Sequence, residues 1–217
     1  MLTIAAVLLV CLLIPAGVLL VCSSGEAEPF LDEHGRLLVG SLSEKVFVTI
    51  NGVRQGMFIK SKDATNPVLL YLHGGMPDYF LTKRYPTGLE ECFTVVWWEQ
   101  RGSGISFNAS IPPEMMTLEQ MISDTLEMTN YLRRRFSQEK IYLMGHLGGT
   151  FIGIQGTCSF TEAKSYFEQL KAPLKGFYTF KHSAQSPLFE EPEKMQRILR
   201  EDVLAGVNNL ADAKEMV

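Results

Sequence analysis

Three glycine-rich loops hold the residues of this 217-residue chain whose types and spacing could do chemistry: His73-Gly74-Gly75-Met76-Pro77, Glu99-Gln100-Arg101-Gly102-Ser103-Gly104 and Gly145-His146-Leu147-Gly148-Gly149. Such loops suit acyl transfer, in which a tetrahedral oxyanion is stabilised by two backbone amides. Gly75 or Met76 can supply one amide, because glycine lets the backbone approach a ligand closely, and Gly148 the other. The His73-Gly74-Gly75 run is equally a tight turn. Arg101 is suited to pair with a carboxylate and brace its loop, a structural task. His146 reads as a packed turn histidine rather than a base. Cys11, Cys22, Cys92 and Cys158 have no CxxC or Cys/His spacing and read as small hydrophobes, so neither a metal nor a cofactor is expected.

Each loop follows an element that must position it. Asn51-Gly52 takes positive φ readily and joins Val46-Phe47-Val48-Thr49-Ile50 to the run opening at Val53 as a β-hairpin. Val68-Leu69-Leu70-Tyr71-Leu72, Phe93-Thr94-Val95-Val96-Trp97-Trp98 and Ile141-Tyr142-Leu143-Met144 are short apolar runs without alternation, the pattern of strands buried on both faces. Thr117-Leu118-Glu119-Gln120 is a capping box that opens a helix. Leu118, Met121, Ile122, Leu126, Leu132 and Phe136 mark its apolar face, and Arg133 to Arg135 suit its last turn. Asp124 and Glu127 then fall on its polar, solvent face. Ser159-Phe160-Thr161-Glu162 opens a further helix, Gly176-Phe177-Tyr178-Thr179-Phe180 reads as a strand, and Pro192 begins a last helix with Met195, Ile198, Leu199 and Val203 on one side. Strands alternating with helices specify an α/β domain with a mostly parallel sheet and an N-terminal β-hairpin.

Composition narrows the partners. Apolar residues make up 46% and charged residues 20%, a globular balance, and a net charge of −4 leaves no basic face for nucleic acid. Residues 2–21, opening on Leu2 and closing on Val21, are an apolar run of about the 20 residues a helix needs to cross a bilayer. A cleaved signal would carry a basic start and a small-residue cleavage site, and a lipoprotein site would carry a small residue where Val21 precedes Cys22. The expectation is a single-pass transmembrane anchor over residues 1–22, a tether and lead-in over 23–45, and a globular domain over 46–217, lying outside the cytoplasm.

The three loops, in this order and each at a strand end, resemble those of the α/β-hydrolase fold. More narrowly, they look like the proline iminopeptidase branch of serine peptidases, with its HGGPG-like loop, DQRGxGxS loop and GxSxG elbow. Met76 departs from the first pattern and Glu99 from the second. The resemblance implies release of N-terminal residues from short peptides by a serine, a histidine and an acid. At the elbow apex, where a strained strand-to-helix turn presents the serine, this chain has Leu147, which has no proton to surrender. The segment matching the family's S-A-H-S-P reads Ser183-Ala184-Gln185-Ser186-Pro187, so Gln185 takes the histidine's place and cannot shuttle a proton. His182 lies three residues upstream, displaced from that place. The acid, two late strands and the helical cap have no counterpart, because Ile154-Gln155 runs directly into Gly156-Thr157-Cys158.

Length agrees with that shortage, since each βαβ step takes roughly 30 residues. The resemblance therefore implies a truncated, catalytically inactive hydrolase. A pseudoenzyme binding a short peptide or a small acyl or amide ligand stays open, as does a hydrolase with an unrecognised nucleophile such as Ser103, Thr150 or Cys158. A sheet that lacks its late strands would expose an apolar edge and self-associate.

Overall fold

The computed structural model describes residue 13 and residues 25–146, 149, 172–183 and 186–216. Asn51 and Gly52 take φ of 44° and 77° and fold β1 (Leu42–Ile50) back onto β2 (Val53–Ser61), with Ile50 opposite Val53. Positive φ at both central residues gives the turn a twist that matches the strands. The hairpin is the predicted one, although β1 starts at Leu42 rather than Val46.

β3 (Val68–Leu72) and β4 (Thr94–Glu99) pair in parallel, and every residue of both is buried. β5 (Tyr142–Gly145) pairs in parallel with the other side of β3. The sheet order is β1-β2-β4-β3-β5. Only β2 runs against its neighbours, so the sheet is mixed but mostly parallel. The predicted burial of the third apolar run does not hold. β5 is the last strand on its side among the described residues, and Leu143 is 50% exposed.

α1 (Leu118–Phe136) starts where the capping residue puts it, with Thr117 Oγ1 accepting the Gln120 amide at 3.2 Å. The reciprocal half of the box is missing, because the Gln120 side chain donates to Asp124 Oδ1 at 2.8 Å instead. The predicted inner face is corrected in part, since Leu132 is buried as expected but other members are not. Leu118, Ile122 and Leu126 are exposed, whereas Asp124, Thr125, Met128 and Leu132 are buried. Asp124 has buried partners on β2 and after β4, and satisfying them rotates the helix away from its most apolar stripe.

Alternate side chains of each strand point to opposite faces. Leu70, Leu72, Val96 and Trp98 therefore pack toward Met128 and Leu132 of α1. Leu69, Tyr71, Val95 and Trp97 pack on the other face with Leu188 and Leu199. Leu188 lies on the short helix α2 (Pro187–Glu190). Pro192 opens α3 (Pro192–Ile198), which widens into a π turn at Leu199–Val203. Ile198 and Leu199 of the predicted face are buried, and Val203 is exposed. The predicted strand at Gly176 forms as β6 (Leu174–Phe177), ending before Thr179 and Phe180. It pairs antiparallel with β7 (Ala213–Met216) in a separate ribbon and does not join β5.

Among the described residues no helix is long and apolar enough to cross a membrane. The apolar run over residues 2–21, apart from Leu13, lies outside them. So do Leu147, Gly148, Thr150, Cys158, Gln185, the junction after Gln155 and the capping box at Ser159.

Candidate functional site

The ends of β3, β4 and β5 bring the predicted loops together. His73, directly after β3, is 2% exposed. The Gly75 amide donates to its Nδ1 at 3.1 Å, and its Nε2 lies 3.0 Å from Ser103 Oγ. The Ser103 hydroxyl is itself committed to the Gln100 carbonyl at 2.7 Å. The Gln100 amide also donates to Nε2 at 3.2 Å, so a backbone N–H faces each ring nitrogen. His73 therefore ties two loops together as a neutral ring, and the Ser103 proton is aimed at the Gln100 carbonyl rather than at that ring. The Gly75 amide is turned toward that ring, with Gly75 at a φ of 110° that favours glycine. Gly74 is half-buried, and Met76 is 68% exposed.

Burial pushes His73 down to about 4, against the opposing pull of the Asp78 charge. A histidine whose folded pKa lies below its unfolded value of about 6.5 favours the fold fully above that value, and the contribution is lost as pH falls toward 4. The loss is on the order of 3 kcal/mol. Urea unfolding from pH 7 to pH 4 should show it, and His73→Gln, whose amide oxygen can still accept from Gly75, should flatten that stretch of the curve. An unchanged slope in the variant would assign the loss to other groups.

Glu99 closes its own loop. Its carboxylate accepts the Ile105 amide at the start of a turn of 3₁₀ helix over Gly104–Ser106, and the Ser106 hydroxyl donates to the Glu99 carbonyl. Burial pushes this carboxyl upward, with the Ile105 hydrogen bond opposing. Arg101 points the other way, into the layer between sheet and α1. Its guanidinium grips Asp124 through two bonds, Nε to Oδ2 at 2.7 Å and Nη2 to Oδ1 at 2.9 Å, with both side chains 1% exposed. Asn51, Gln55 and Gln120 also donate to that carboxylate, each at 2.8 Å. Burial alone would raise Asp124, but these donors, Arg101 foremost, hold it below the usual carboxylate range. Asp124 is thus a buried anchor rather than a solvent-face residue. Glu127 is on the surface and pairs with Arg134 at 3.2 Å.

A second arrangement was not read from the sequence. His146, directly after β5, hangs its amide on the Leu72 carbonyl at 2.9 Å, which aims the ring across the loop ends. Its Nδ1 is 3.1 Å from Asp78 Oδ2, and its Nε2 is 3.1 Å from Ser186 Oγ. Asp78 lies five residues beyond His73 in the first loop and also accepts the Tyr71 hydroxyl at 2.7 Å. Burial raises the Asp78 carboxyl, yet the hydrogen bonds from His146 and Tyr71 outweigh it and leave it lowered, an anion facing the ring. The same contacts push Tyr71 upward, burial first, so its hydroxyl stays a donor. His146 is therefore more than a packed turn residue, because its ring joins an acid to a hydroxyl. The one available sequence signal was an aspartate just after Pro77 in a loop already singled out. His182 takes no part: it is exposed, and its backbone amide donates to Glu191.

A cavity of about 440 Å³ lies apart from this arrangement, with Phe30, Phe58, Lys60, Tyr79, Phe80 and Glu90 in its lining. Phe58 and Tyr79 stack there with ring centroids 3.9 Å apart. Among the described residues no group of His, Cys, Asp and Glu has the arrangement of a metal site.

No protein-family profile matches the chain. A probable aminopeptidase, YbaC of Bacillus subtilis (strain 168), is 39% identical over 109 residues, which is 49% of this chain and 34% of that protein. The chain thus spans about a third of its relative's length. Among solved structures, a proline iminopeptidase-related protein of Thermus thermophilus is 25% identical with a TM-score of 0.43, over 59% of this chain and 42% of that one. An epoxide hydrolase of Vigna radiata is 21% identical with a TM-score of 0.43, over 51% and 34%. The identity over those 109 residues makes the chain a relative of that probable aminopeptidase.

Proposed function

We propose that the chain is an α/β-hydrolase relative whose elbow has lost its chemistry, held to a membrane by residues 2–21 and shortened after Gln155, and that it does not release N-terminal residues from peptides. Leu147 at the elbow apex carries this reading, since an aliphatic side chain can neither attack a carbonyl nor be acylated. Gln185 in the place of the histidine supports it, because an amide cannot relay a proton near neutral pH. The geometry of the first loop is consistent with it. The Gly75 amide is spent on His73, and the His73 ring is held as a neutral brace.

The test is amine release from an N-terminal prolyl chromogenic amide, run on alkali-washed membranes from cells expressing the full chain. The protein should stay in the washed membranes, and release should equal that of membranes lacking it. Recovery of the protein in the wash would remove the anchor from this reading. Release that rises with the amount of protein would overturn the loss of peptidase chemistry.

A further inference from the structure

Among the described residues two serine–histidine pairs lie at the loop ends, and their other hydrogen-bond partners decide between them. In the His73–Ser103 pair the nitrogen facing the hydroxyl already accepts the Gln100 amide at 3.2 Å, and the Ser103 hydroxyl donates to the Gln100 carbonyl at 2.7 Å. The Ser103 proton is thus aimed at a carbonyl rather than at the ring. The His146–Ser186 pair is arranged differently. Asp78 is an acceptor 3.1 Å from His146 Nδ1, so the proton sits on Nδ1 and the Nε2 lone pair faces Ser186 Oγ at 3.1 Å. This is the polarity a general base requires. Asp78 is 8% exposed and fixed from behind by Tyr71, so the acid is held by buried structure. The His146 side chain is 20% exposed and Ser186 is half-buried, so the hydroxyl end of the series faces solvent.

We propose that Ser186 is a nucleophile, with His146 as its base and Asp78 as the residue that orients the base, and that together they form an acyl-transfer site for small aryl esters. This goes beyond the loss of elbow chemistry and does not depend on it. None of the three residues is Leu147, and Ser186 comes from the segment where the resembling family places its histidine rather than its nucleophile. Ser186 Oγ attacks the acyl carbon and its proton passes to His146 Nε2, leaving an imidazolium beside the Asp78 carboxylate. The tetrahedral adduct collapses with cleavage of the carbon–oxygen bond to the phenol, which takes the proton from Nε2. Water, deprotonated by His146, then attacks the acyl-serine and releases the carboxylic acid while the proton returns to Oγ. The sum is ester plus water to acid plus phenol. Aryl esters fit because the phenol departs readily, whereas an amide demands a strongly assisted leaving group.

The full chain in detergent, treated with a fluorophosphonate carrying a fluorophore, should form a bond between phosphorus and Ser186 Oγ with loss of fluoride. Peptide mapping of the unsubstituted protein should find the label on Ser186, a result that needs no variant. Ser186→Ala should abolish labelling and 4-nitrophenyl acetate hydrolysis together. His146→Asn should slow both about a hundredfold, and Ser103→Ala should leave both unchanged. A folded protein that takes no label, a label mapped to another residue, or labelling that survives Ser186→Ala would overturn the proposal. The outcome is separable from that of the prolyl amide assay. Label on Ser186 together with amine release would sustain this site and overturn the loss of peptidase chemistry; neither label nor release would do the reverse.

Discussion

Asp124→Ala should cost about 3–5 kcal/mol of unfolding free energy, the range for stranding one member of a buried ion pair. The substitution leaves the Arg101 guanidinium at 1% exposure with no counter-charge, and it removes the shared acceptor of Asn51, Gln55 and Gln120. Gln55 also accepts the Trp98 indole N–H at 3.1 Å, so the loss reaches β4 in the core. Arg101→Met/Asp124→Leu removes more polar groups yet should lose less, because no buried charge remains and only the amide donors are stranded. The difference between the two proteins in urea unfolding isolates the cost of the orphaned guanidinium. If Asp124→Ala cost under about 1 kcal/mol, water would have replaced the carboxylate and the pair would not anchor α1.

The same cluster shows where the sequence stops being legible. Signals confined to a few residues held. Asn51-Gly52 turned the hairpin, Thr117 capped α1, and the unbroken apolar runs of β3 and β4 lay buried on both faces. The inner face of α1 was misread because apolar spacing favoured Leu118, Ile122 and Leu126, while the partners that draw Asp124 inward lie 23, 69 and 73 residues away along the chain. A carboxylate bound for burial looks in sequence like one bound for water. His146 was misread for the same reason. Its tautomer is set by Asp78, 68 residues earlier, and its acceptor nitrogen meets a hydroxyl 40 residues later. β6 could be seen as apolar, but its partner β7 contains Lys214 and Glu215, which carry no strand signal of their own.

Gly149→Ala is the second large effect expected, and its origin is wholly steric. Gly149 does not take positive φ, so alanine carries no conformational penalty there. A methyl group at that position would lie 1.9 Å from the Leu72 carbonyl oxygen and 2.6 Å from its carbon, and 3.0 Å from the His73 oxygen. The obstacle is backbone and cannot swing aside as a side chain could. Leu72 is also the last residue of β3, paired with Gly145, and its carbonyl receives the His146 amide. Making room for the methyl therefore pulls apart the β3–β5 register or lifts His146 from its seat, so a loss of about 3 kcal/mol or more is expected in urea unfolding. Gly35→Ala calibrates the measurement. Gly35 has a φ of 73° and nothing within 4 Å of an added methyl, so it carries only the left-handed backbone cost of about 1 kcal/mol. If the two variants lost the same amount, the close approach of β3 to the turn after β5 would not be what holds that turn, and the placement of the His146 ring would need another cause.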